Sequence, residues 1–508
     1  MRARDDSRDL VPTFGLMLGL CFGLGSAAPP AGAQTRSIWL SPAELQALPT
    51  SGAAWSSLAA EAQADWGPAS VADQGSEHNT STLAGALYAA RVGDAAMREK
   101  TLSALEAAVG TEVGGTTLGL GRNLLAYVLA ADLIDHRSPR FVTWVDQVRH
   151  QVLEGRTLIS THEERPNNWG THAGASRIAA SLFVGDSADV ARAAEVFHGW
   201  VGNRSVYAGF SYGNLDWQAN PQQPVGINPA GATRLGRNVD GVLPDDQRRC
   251  NCGIPSCGPF AKENYVWEAL QGAVVQAQLL ARAGHPAWQW QDQALFRAVR
   301  WLYQEANYPA AGDDTWVPWL VNAVYQSEFR TVRPGQTRPG KNIGFTDWTH
   351  PSGIGSRDTD SDGRLDDGDQ SQNAGDAPCT GGATAGCDDN CRFVANPDQT
   401  DQDGDGIGDR CDNCTGWLNP AQIDTDRDGF GNACDADFDN SGLVSLVDFQ
   451  TLVASLFKLA CQPGFDPRTD LDATNSVQLS DFNRFRTLMN QPPGPSGLSC
   501  AGATPCPP

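Results

Sequence analysis

The sequence predicts a mainly α-helical protein in which a long helical domain precedes an irregular, acidic tail. Apolar residues recur at helical spacing from Ser37 to about His350, and few stretches alternate as strands do. Near residue 357 the composition changes to segments rich in Asp, Gly and Asn. At 508 residues the chain is also too long for one ordinary core, so we expect two or more domains.

The N-terminal residues have the pattern of a secretory leader. Three arginines within the first eight residues precede an apolar run from Phe14 to Leu24, and Ala31-Gly32-Ala33 offers small residues for cleavage. The apolar run is too short to span a bilayer, and no later segment is long enough. We therefore expect a signal peptide at residues 1–33 and a secreted or cell-surface-associated protein without a membrane span.

The net charge of −22 is concentrated in the tail, where the sequence from Pro351 onward has 26 Asp, no Glu and 9 Lys or Arg. A nucleic-acid partner would need a basic face, so we expect none. Of the 13 cysteines, Cys21 lies in the leader, and the even number that remains predicts disulfides formed in an oxidising compartment.

One group of cysteines allows two interpretations. Cys250, Cys252 and Cys257 lie close enough in sequence for a zinc site, but zinc needs four ligands. Three thiols in an exported protein favour a loop disulfide and one distant pairing. The sequence leaves open the pairing of these three residues and of Cys461, Cys500 and Cys506.

Nine helices are predicted in the helical domain. Their bounds are Thr82–Arg91, Arg98–Val109, Leu118–Asp135, Pro139–Glu154, Asn168–Phe183, Ala188–Val201, Asn264–Ala283, Gln291–Ala306 and Thr315–Gln326. Consecutive helices without coiled-coil heptads predict helix pairs arranged in a ring or a solenoid. A long Gly-, Pro- and Asn-rich region from Val201 to Pro259 interrupts them, and we expect it to line a cleft, because loops of this length are often functional.

Polar and aromatic residues gather at the predicted starts of two helices. The first group is Asn167-Asn168-Trp169-Gly170-Thr171-His172, and the second runs from Lys262 to Gly272 and includes Tyr265 and Trp267. Groups at the start of a helix can reach a cleft while the helix behind them is buried. The alternative for the first group is an Asn cap on an ordinary buried helix.

Fourteen of the 15 tryptophans precede residue 350. Trp169, Trp267 and Trp316 lie beside polar groups or loop ends, as do Trp217 and Trp319. Their aromatic faces would suit stacking on sugar rings. The alternative is that each indole fills space between helices.

The acidic tail contains an internal repeat. Asp358, Asp360 and Asp362 open it, and a unit with Asp401, Asp403, Asp405 and Asp409 is echoed 23 residues later by Asp424, Asp426 and Asp428. Carboxylates at alternate positions, with Gly breaking the turn, supply the six to eight oxygens that calcium needs. The alternative is a solvated acidic linker.

These units resemble thrombospondin type 3 repeats over about Asp358–Asp435, within a segment bounded at 351–435. The resemblance implies calcium wrapped by the chain and disulfides between successive units. On this basis we expect the pairs Cys391–Cys411, Cys414–Cys434 and Cys379–Cys387.

The last segment, 436–508, contains two loops of EF-hand type. Oxygen donors stand at loop positions 1, 3, 5, 9 and 12 of the first loop, with Gly442 at position 6 and a helix predicted at Phe449–Phe457. The predicted ligands are Asp437, Asp439, Ser441 and Asp448 in the first loop, and Asp470, Asp472, Thr474 and Asp481 in the second. The second loop has Asn475 in place of the glycine and precedes a helix predicted at Phe482–Met489.

This pair of loops resembles a dockerin module. The resemblance implies a cohesin-like or cell-surface partner. A self-contained terminal cap is the alternative interpretation.

The helical domain resembles the alginate lyase family of (α/α) toroid polysaccharide lyases. The resemblance covers roughly residues 75–350 and rests on the two helix-start groups and on four further segments, at 226–229, 241–249, 312–316 and 346–350. Many members of that family carry His where Trp169 stands, and the nearest His here is His172. The resemblance implies a toroid within residues 34–350 and β-elimination at a uronic acid.

The residue types fit that chemistry. An Asn amide (Asn168) and a guanidinium (Arg248 or Arg249) could neutralise the uronate carboxylate and hold the developing enolate. Tyr265 is assigned as base and acid, with His172 as a second base or a substrate contact. Asn167, Trp169, Trp267 and Trp316 are the predicted substrate-binding residues, and catalysis is expected to need no cofactor.

Two alternative functions remain. A glycoside hydrolase on the same architecture would use two carboxylates, such as Asp313 with Glu263 or Asp216. A non-catalytic surface protein would bind glycans with the helical domain and use the calcium repeats as a stiff spacer. Tyr207 and Tyr212 are further candidates for the acid in the lyase interpretation, and each of the catalytic candidates also has a packing or solvated-loop alternative.

Overall fold

The computed structural model describes residues 38–213, 215–248, 264–351, 357–369, 371, 374–460 and 462–506. The predicted signal peptide lies outside these residues, as do Arg249, Glu263 and four of the cysteines, Cys250, Cys252, Cys257 and Cys461. Within the described ranges, no helix has both the length and the apolar character that crossing a membrane would require.

The described chain is mainly α-helical, as predicted. Its helices are α1 (Pro42–Ala47), α2 (Ala53–Gln63), α3 (His78–Val92), α4 (Ala95–Ala108), α5 (Thr117–Leu133), α6 (Pro139–Val148), α7 (Leu158–Glu164), α8 (Asn168–Val184), α9 (Ser187–Trp200), α10 (Pro244–Gln247), α11 (Tyr265–Arg282), α12 (Trp290–Arg300), α13 (Val317–Tyr325), α14 (Thr346–Thr349), α15 (Leu446–Ser455) and α16 (Leu479–Leu488). The strands of the described residues are two short ones, β1 (Thr233–Arg234) and β2 (Arg237–Asn238), which pair antiparallel.

Most predicted helix bounds are close to the observed ones, with three larger differences. Helix α3 begins at His78, four residues before its predicted start, and α12 ends at Arg300, where a π-helical turn at Trp301–Glu305 follows and the prediction ran on to Ala306. The third difference is at α6. The prediction extended α6 to Glu154, but the helix ends at Val148. Glu154 and Gly155 both have positive φ, and Leu153 and Arg156 bond to each other across this tight turn. Apolar Val152 and Leu153 continue the helical spacing into the turn, which is why the pattern overran the end of the helix.

Helices α3, α5, α8 and α11 are buried on nearly all sides and contact one another in that order. The flanking helices cover them: α2 and α4 pack on α3, and α6, α7 and α9 pack on α8. Helices that are buried on nearly all sides lie in the interior of a large domain. These four helices therefore form the centre of the helical domain.

Glycines allow the central helices to approach closely. A Cβ at Gly121 on α5 would lie 2.9 Å from the backbone nitrogen of Ala173 on α8. A Cβ at Gly272 on α11 would lie 2.4 Å from the carbonyl carbon of Thr171, also on α8. Helix α8 is thus held between α5 and α11 at backbone contact distance.

The tail has its own small core and also packs against the helical domain. Phe438, Leu452, Leu471 and Phe485 form an apolar cluster between the two EF-hand-type loops. Salt bridges join the acidic repeats to the helical domain, at Arg392–Glu328 (2.8 Å), Arg427–Glu305 (2.7 Å) and Arg333–Asp376 (2.9 Å).

The C-terminal residues run back along the acidic repeats. Backbone hydrogen bonds join Gly497 to Asp412, Gly502 to Asp428 and Cys506 to Arg427. These contacts tie the chain end to the repeats that precede the EF-hand-type loops.

Candidate functional site

The start of α8 is formed by the asparagine pair. The Asn167 side chain accepts a hydrogen bond from the backbone N–H of Trp169 at 3.2 Å, which caps the helix. Asn168 is the first residue of the helix and is 1% exposed. The sequence therefore placed this helix start correctly, and the capping alternative holds for Asn167.

The side chain of Asn168 connects the two helix-start groups. Its amide nitrogen donates to Glu268 Oε2 at 2.7 Å, and its backbone N–H donates to Asp246 Oδ1 at 3.3 Å. Glu268 lies three residues after Tyr265 on α11, so both side chains lie on one face of that helix. Asn168 therefore contacts the helical turn of α11 that begins at Tyr265.

Arg122 joins the same group from the third helix, α5. Its Nη2 lies 2.6 Å from Glu268 Oε2, the oxygen that Asn168 also contacts. The sequence analysis did not identify Arg122, and it included Glu268 in the second helix-start group without giving it a role. An arginine in the apolar run LGLGRNLLAY of α5 was a usable signal, because a charged residue in a buried helix needs a partner.

His172 lies one turn after Asn168 and is fully buried. Burial holds its pKa well below the usual 6.5, and the charges of Arg122 and Lys341 act in the same direction. Among the described residues, neither ring nitrogen has a hydrogen-bond partner. His172 is therefore neutral at neutral pH, and in this conformation it does not reach solvent.

Tyr265 and Arg248 are more accessible than Asn168. Tyr265 is the first residue of α11 and is partly exposed. Arg248 is also partly exposed, and its Nε donates to the Asp245 carbonyl at 3.0 Å and lies 3.1 Å from Asp245 Oδ1. Arg248 is thus engaged by its own turn, while Arg249 lies outside the described residues.

Tyr207 and Tyr212, the further candidates for the acid, lie in surroundings that differ from those of Tyr265. The Tyr207 hydroxyl donates to the Glu163 carbonyl at 2.5 Å, on the α7 side of α8. Burial raises the pKa of Tyr212 far above its usual value of 10. Neither observation places a phenol beside Asn168.

The predicted sugar-stacking tryptophans divide into two kinds. Trp169 is partly exposed, and the Arg165 guanidinium lies 4.3 Å from the centre of its ring. Trp267 is 1% exposed and Trp316 is fully buried, and both belong to the hydrophobic core. For these two rings the structure shows the packing alternative, because a ring with no accessible face cannot stack on a sugar in this conformation.

Asp313 and Asp314 are neighbours in sequence but differ in burial and in their partners. Asp313 is partly exposed and forms a 2.8 Å salt bridge with Lys341. Asp314 is buried and accepts hydrogen bonds from Asn264 and from Gln271, the latter at 2.7 Å. Burial raises the pKa of Asp314 to about 7 despite these two donors. Asp216, the other carboxylate named for a hydrolase, is exposed.

The acidic repeats bring carboxylates together as the spacing predicted. Among the described residues, ligand atoms lie within 4.8 Å of one another in several groups, which include Asp358/Asp360/Asp362, Asp367/Asp369/Asp388, Asp401/Asp403/Asp405, Asp424/Asp426/Asp428 and Asp437/Asp439/Asp448. Such clusters could bind a metal such as calcium. The third group does not include the predicted ligand Asp409, whose Oδ1 instead accepts a hydrogen bond from the backbone N–H of Gln402 at 2.8 Å.

Three further aspartates were missed by the sequence analysis. Asp389, Asp412 and Asp435 are 2%, 1% and 5% exposed and recur at the same 23-residue interval as the repeats. Burial is the main cause that raises the pKa of each, and the carboxylates of the adjacent acidic loops add to it. Their recurrence at the repeat interval was the signal that could have identified them.

The carboxylate chemistry of these clusters fits a cation. The Oδ2 atoms of Asp360, Asp389 and Asp403 are buried and have no hydrogen-bond partner among the described residues. A buried carboxylate oxygen without a donor is costly, and a bound cation would remove that cost. These oxygens belong to, or face, the acidic loops that the sequence singled out.

The two EF-hand-type loops have matching geometry. The backbone N–H of Ser441 donates to Asp437 Oδ1 and that of Thr474 donates to Asp470 Oδ1, each at 3.0 Å. Asn475 has a φ of 61°, which replaces the glycine conformation of Gly442 at 88°. The weaker second copy therefore folds like the first.

The helices that follow these loops begin earlier than predicted, at Leu446 and Leu479. Asp448 and Asp481 stand at the third position of α15 and α16 and bond back to the capping residues. The last residue of each loop is therefore also part of the first helical turn.

The predicted disulfides within the repeats are confirmed. Cys379–Cys387, Cys391–Cys411 and Cys414–Cys434 are bonded, and Cys500–Cys506 forms a further pair near the chain end. The equal separation of 20 residues in two of the pairs matches the repeat. The disulfides and the acidic loops together form a cross-linked tail.

Comparison with known protein families finds no matching family model, and comparison with characterised proteins finds no match. The geometry defines the class of protein as a mainly α-helical domain followed by disulfide-linked acidic loops that could bind a metal. The resemblances to lyases, thrombospondin type 3 repeats and dockerins thus rest on residues and spacing alone.

Proposed function

We propose that the helical domain is an (α/α) toroid polysaccharide lyase that cleaves a uronate-containing polymer, of alginate or glucuronan type, by β-elimination. The observation that carries this proposal is the 2.7 Å hydrogen bond from Asn168 to Glu268. It joins the start of α8 to the first turn of α11, where Tyr265 lies. This contact between the two helix starts supports the proposal that the amide of Asn168 and the phenol of Tyr265 act at one site.

The chemistry needs these two kinds of group. The C-5 proton of a uronate is weakly acidic until the charge of the adjacent carboxylate is neutralised. The amide of Asn168 is the proposed donor to that carboxylate, where charge develops in the transition state. Tyr265 is the proposed base for the C-5 proton and the acid for the leaving O-4, a contribution of about 10²–10⁴-fold.

The other residues have supporting roles in the proposal. Trp169, with Arg165 over its ring, is the accessible aromatic surface beside Asn168. His172 is buried behind the site. Its proposed role in this conformation is to hold the start of α8 in place, and it could contact substrate only if the site opened. No cofactor is required for the elimination itself.

The tail is proposed to bind calcium as a structural ion through the ligands named above. Secretion, or attachment at the cell surface, is part of the same proposal, because disulfides and millimolar calcium belong to that environment. A cohesin-like or cell-surface protein is the proposed partner of the EF-hand-type module.

Hydrolysis is the second candidate, and one observation favours it. Burial raises the pKa of Asp314 to about 7, which suits a general acid, and Asp314 lies next to Asp313 in sequence. Its burial beneath Asn264 and Gln271 makes direct contact with a substrate less straightforward than for Tyr265.

The test is incubation of the full chain with alginate, glucuronan and a neutral glucan, followed by the ultraviolet absorbance of unsaturated uronyl ends. The proposal predicts absorbance from a uronate polymer and none from the glucan. Tyr265→Phe should abolish it, while Tyr88→Phe, at a ring stacked on Trp55, should not. Saturated products that disappear with Asp313→Asn would instead establish the hydrolase.

A further inference from the structure

We propose that Arg122 is the guanidinium that binds the substrate carboxylate together with Asn168, and that Glu268 is the positioning residue that holds both donors. This inference rests on the proposed function. It replaces Arg248 and Arg249 in that role with a residue of the central helices.

The first argument is the convergence of donors. Arg122 Nη2 and Asn168 Nδ2 lie 2.6 Å and 2.7 Å from the same oxygen, Oε2 of Glu268. Two donors from different helices that meet on one carboxylate oxygen are close enough to share a second carboxylate. A guanidinium has five N–H groups and an amide has two, so both residues retain donors for that purpose.

The second argument is the state of Arg122. Its side chain is 10% exposed, and its Nε is buried without a hydrogen-bond partner among the described residues. A guanidinium in this position costs free energy to desolvate, and one carboxylate oxygen offsets part of that cost. A bound uronate carboxylate would supply the missing acceptor in the planar geometry that guanidinium prefers. Because Arg122 Nε and Asn168 are buried in this conformation, the proposal requires the site to open before substrate binds.

The third argument is the local charge. Lys341 lies close enough for its charge to act on His172, as does Arg122. Each cation has a carboxylate partner, Glu268 for Arg122 and Asp313 for Lys341, so the two positive charges are balanced within ion pairs. A uronate carboxylate would bind by sharing the donors of these pairs, which a neutral glycan could not do.

The fourth argument is the engagement of Arg248. Its Nε is already bonded to the carbonyl of Asp245 within its own turn. Its side chain is 34% exposed, so water solvates much of its charge. Arg122 is the better placed cation for a carboxylate held by Asn168.

The experiment compares four variants of the full chain, Arg122→Gln, Arg122→Lys, Glu268→Gln and the double Arg122→Gln/Glu268→Gln. The matched control is Arg282→Gln, which breaks another Arg–Glu pair at the far end of α11, the bridge to Glu44. Two readouts are taken: steady-state cleavage of a uronate polymer, and calorimetric binding of a mannuronate tetramer against a mannose tetramer. Circular dichroism establishes that each variant is folded, and the double variant covers the case in which Arg122→Gln alone fails to fold.

The proposal expects Arg122→Gln to lower kcat/KM by about 10²-fold, with Arg122→Lys intermediate. Glu268→Gln should lower kcat by about tenfold with little change in KM, because it removes an orienting contact and not a substrate contact. The double variant should be no worse than Arg122→Gln, since the two residues act as a unit. Arg282→Gln should retain wild-type kinetics.

The remaining outcomes distinguish the proposed role of Arg122 from the proposed lyase activity. If the folded double variant cleaves at more than half the wild-type rate, the role of Arg122 is overturned and the lyase remains. If the wild-type protein binds the mannuronate tetramer without cleaving it, the proposed lyase activity is wrong. In that case, loss of binding in Arg122→Gln would still identify Arg122 as a carboxylate-binding residue. If wild-type protein binds neither tetramer and cleaves nothing, both proposals fall.

Discussion

The side-chain amide of Asn168 donates a hydrogen bond to the carboxylate of Glu268 at 2.7 Å, although 100 positions separate the two residues. The bond crosses from the first turn of α8 to the first turn of α11. Both side chains are largely buried, so solvent competes little for the contact. The relationship has consequences for both stability and activity.

Asn168→Ala should lower stability and abolish most activity. Loss of a hydrogen bond to a charged group costs about 1.5–3 kcal/mol of unfolding free energy. Cleavage of uronate polymer should fall by about 10²-fold or more, as for removal of an oxyanion donor. Thermal unfolding and cleavage rate are measured against Asn220→Ala, which lies in an exposed loop. Unchanged cleavage in a folded Asn168→Ala protein would remove Asn168 from the mechanism.

Gly272→Ala should destabilise the helical domain. The added Cβ would lie 2.4 Å from the Thr171 carbonyl carbon, which is backbone and cannot swing aside. Overpacking of this kind typically costs about 1–3 kcal/mol, which chemical denaturation would detect. At Gly75, which is exposed, the nearest atom to an added Cβ is 3.5 Å away, so Gly75→Ala should be close to neutral. Equal stability of the two variants would contradict the close helix contact.

The buried carboxyl of Asp314 predicts a pH dependence of stability. Its pKa is raised to about 7 in the folded protein by burial, and it returns to an ordinary value on unfolding. Between these two values the folded state binds more protons, so the contribution to unfolding free energy falls as pH rises from about 4 to about 7. Above about pH 7 this contribution to the unfolding free energy is fully lost.

Asp314→Asn should flatten this slope. The difference in unfolding free energy between wild type and variant should shift by about 2 kcal/mol in favour of the variant from pH 5 to pH 8. Urea unfolding at a series of pH values measures it, with Asp216→Asn as the exposed control. Parallel pH profiles for wild type and Asp314→Asn would show that Asp314 is not the responsible group.

Removal of calcium should destabilise the tail and also affect the helical domain that contacts it. The first acidic loop adjoins Arg357, and Arg357 and Arg392 both approach the buried Glu328, at 3.5 Å and 2.8 Å. Each site would contribute about 2.7 kcal/mol when free calcium is roughly 100-fold above the dissociation constant. Chelation should therefore lower the melting temperature and expose the tail to protease.

The control for this effect uses two aspartates of the same repeat. Asp403→Asn removes the charge of an acidic-loop carboxylate whose Oδ2 is buried, and it should reduce the calcium-induced rise in melting temperature. Asp398→Asn, at an exposed residue outside the clusters, should leave that rise unchanged. A melting temperature that is indifferent to calcium in the wild-type protein would contradict the assignment of the loops.

Much of the helical architecture could be predicted from sequence because it depends on local signals. The cap at Asn167, the apolar spacing of α8 and the glycine at its end mark the helix within one residue of its observed bounds. The disulfides followed from the repeat in the same way. Short helices such as α7 were missed, because seven residues carry too little periodicity.

The site was less predictable because it depends on contacts between distant segments. Arg122 and Glu268 are 146 positions apart, and nothing local reveals that they meet. Trp267 and Trp316 could not be distinguished from surface aromatics, because burial is a property of the packed domain. Asp389 and its equivalents were obscured by the more regular Asp triplets, although their spacing was readable.

The central claim is that the helical domain breaks a glycosidic bond by elimination, without adding water. Digestion of a uronate polymer in heavy-oxygen water, followed by mass spectrometry of the products, tests this most directly. The account predicts fragments with an unsaturated non-reducing end and no heavy oxygen at the newly formed reducing end beyond slow exchange. Saturated fragments that carry heavy oxygen from the moment of cleavage would contradict it.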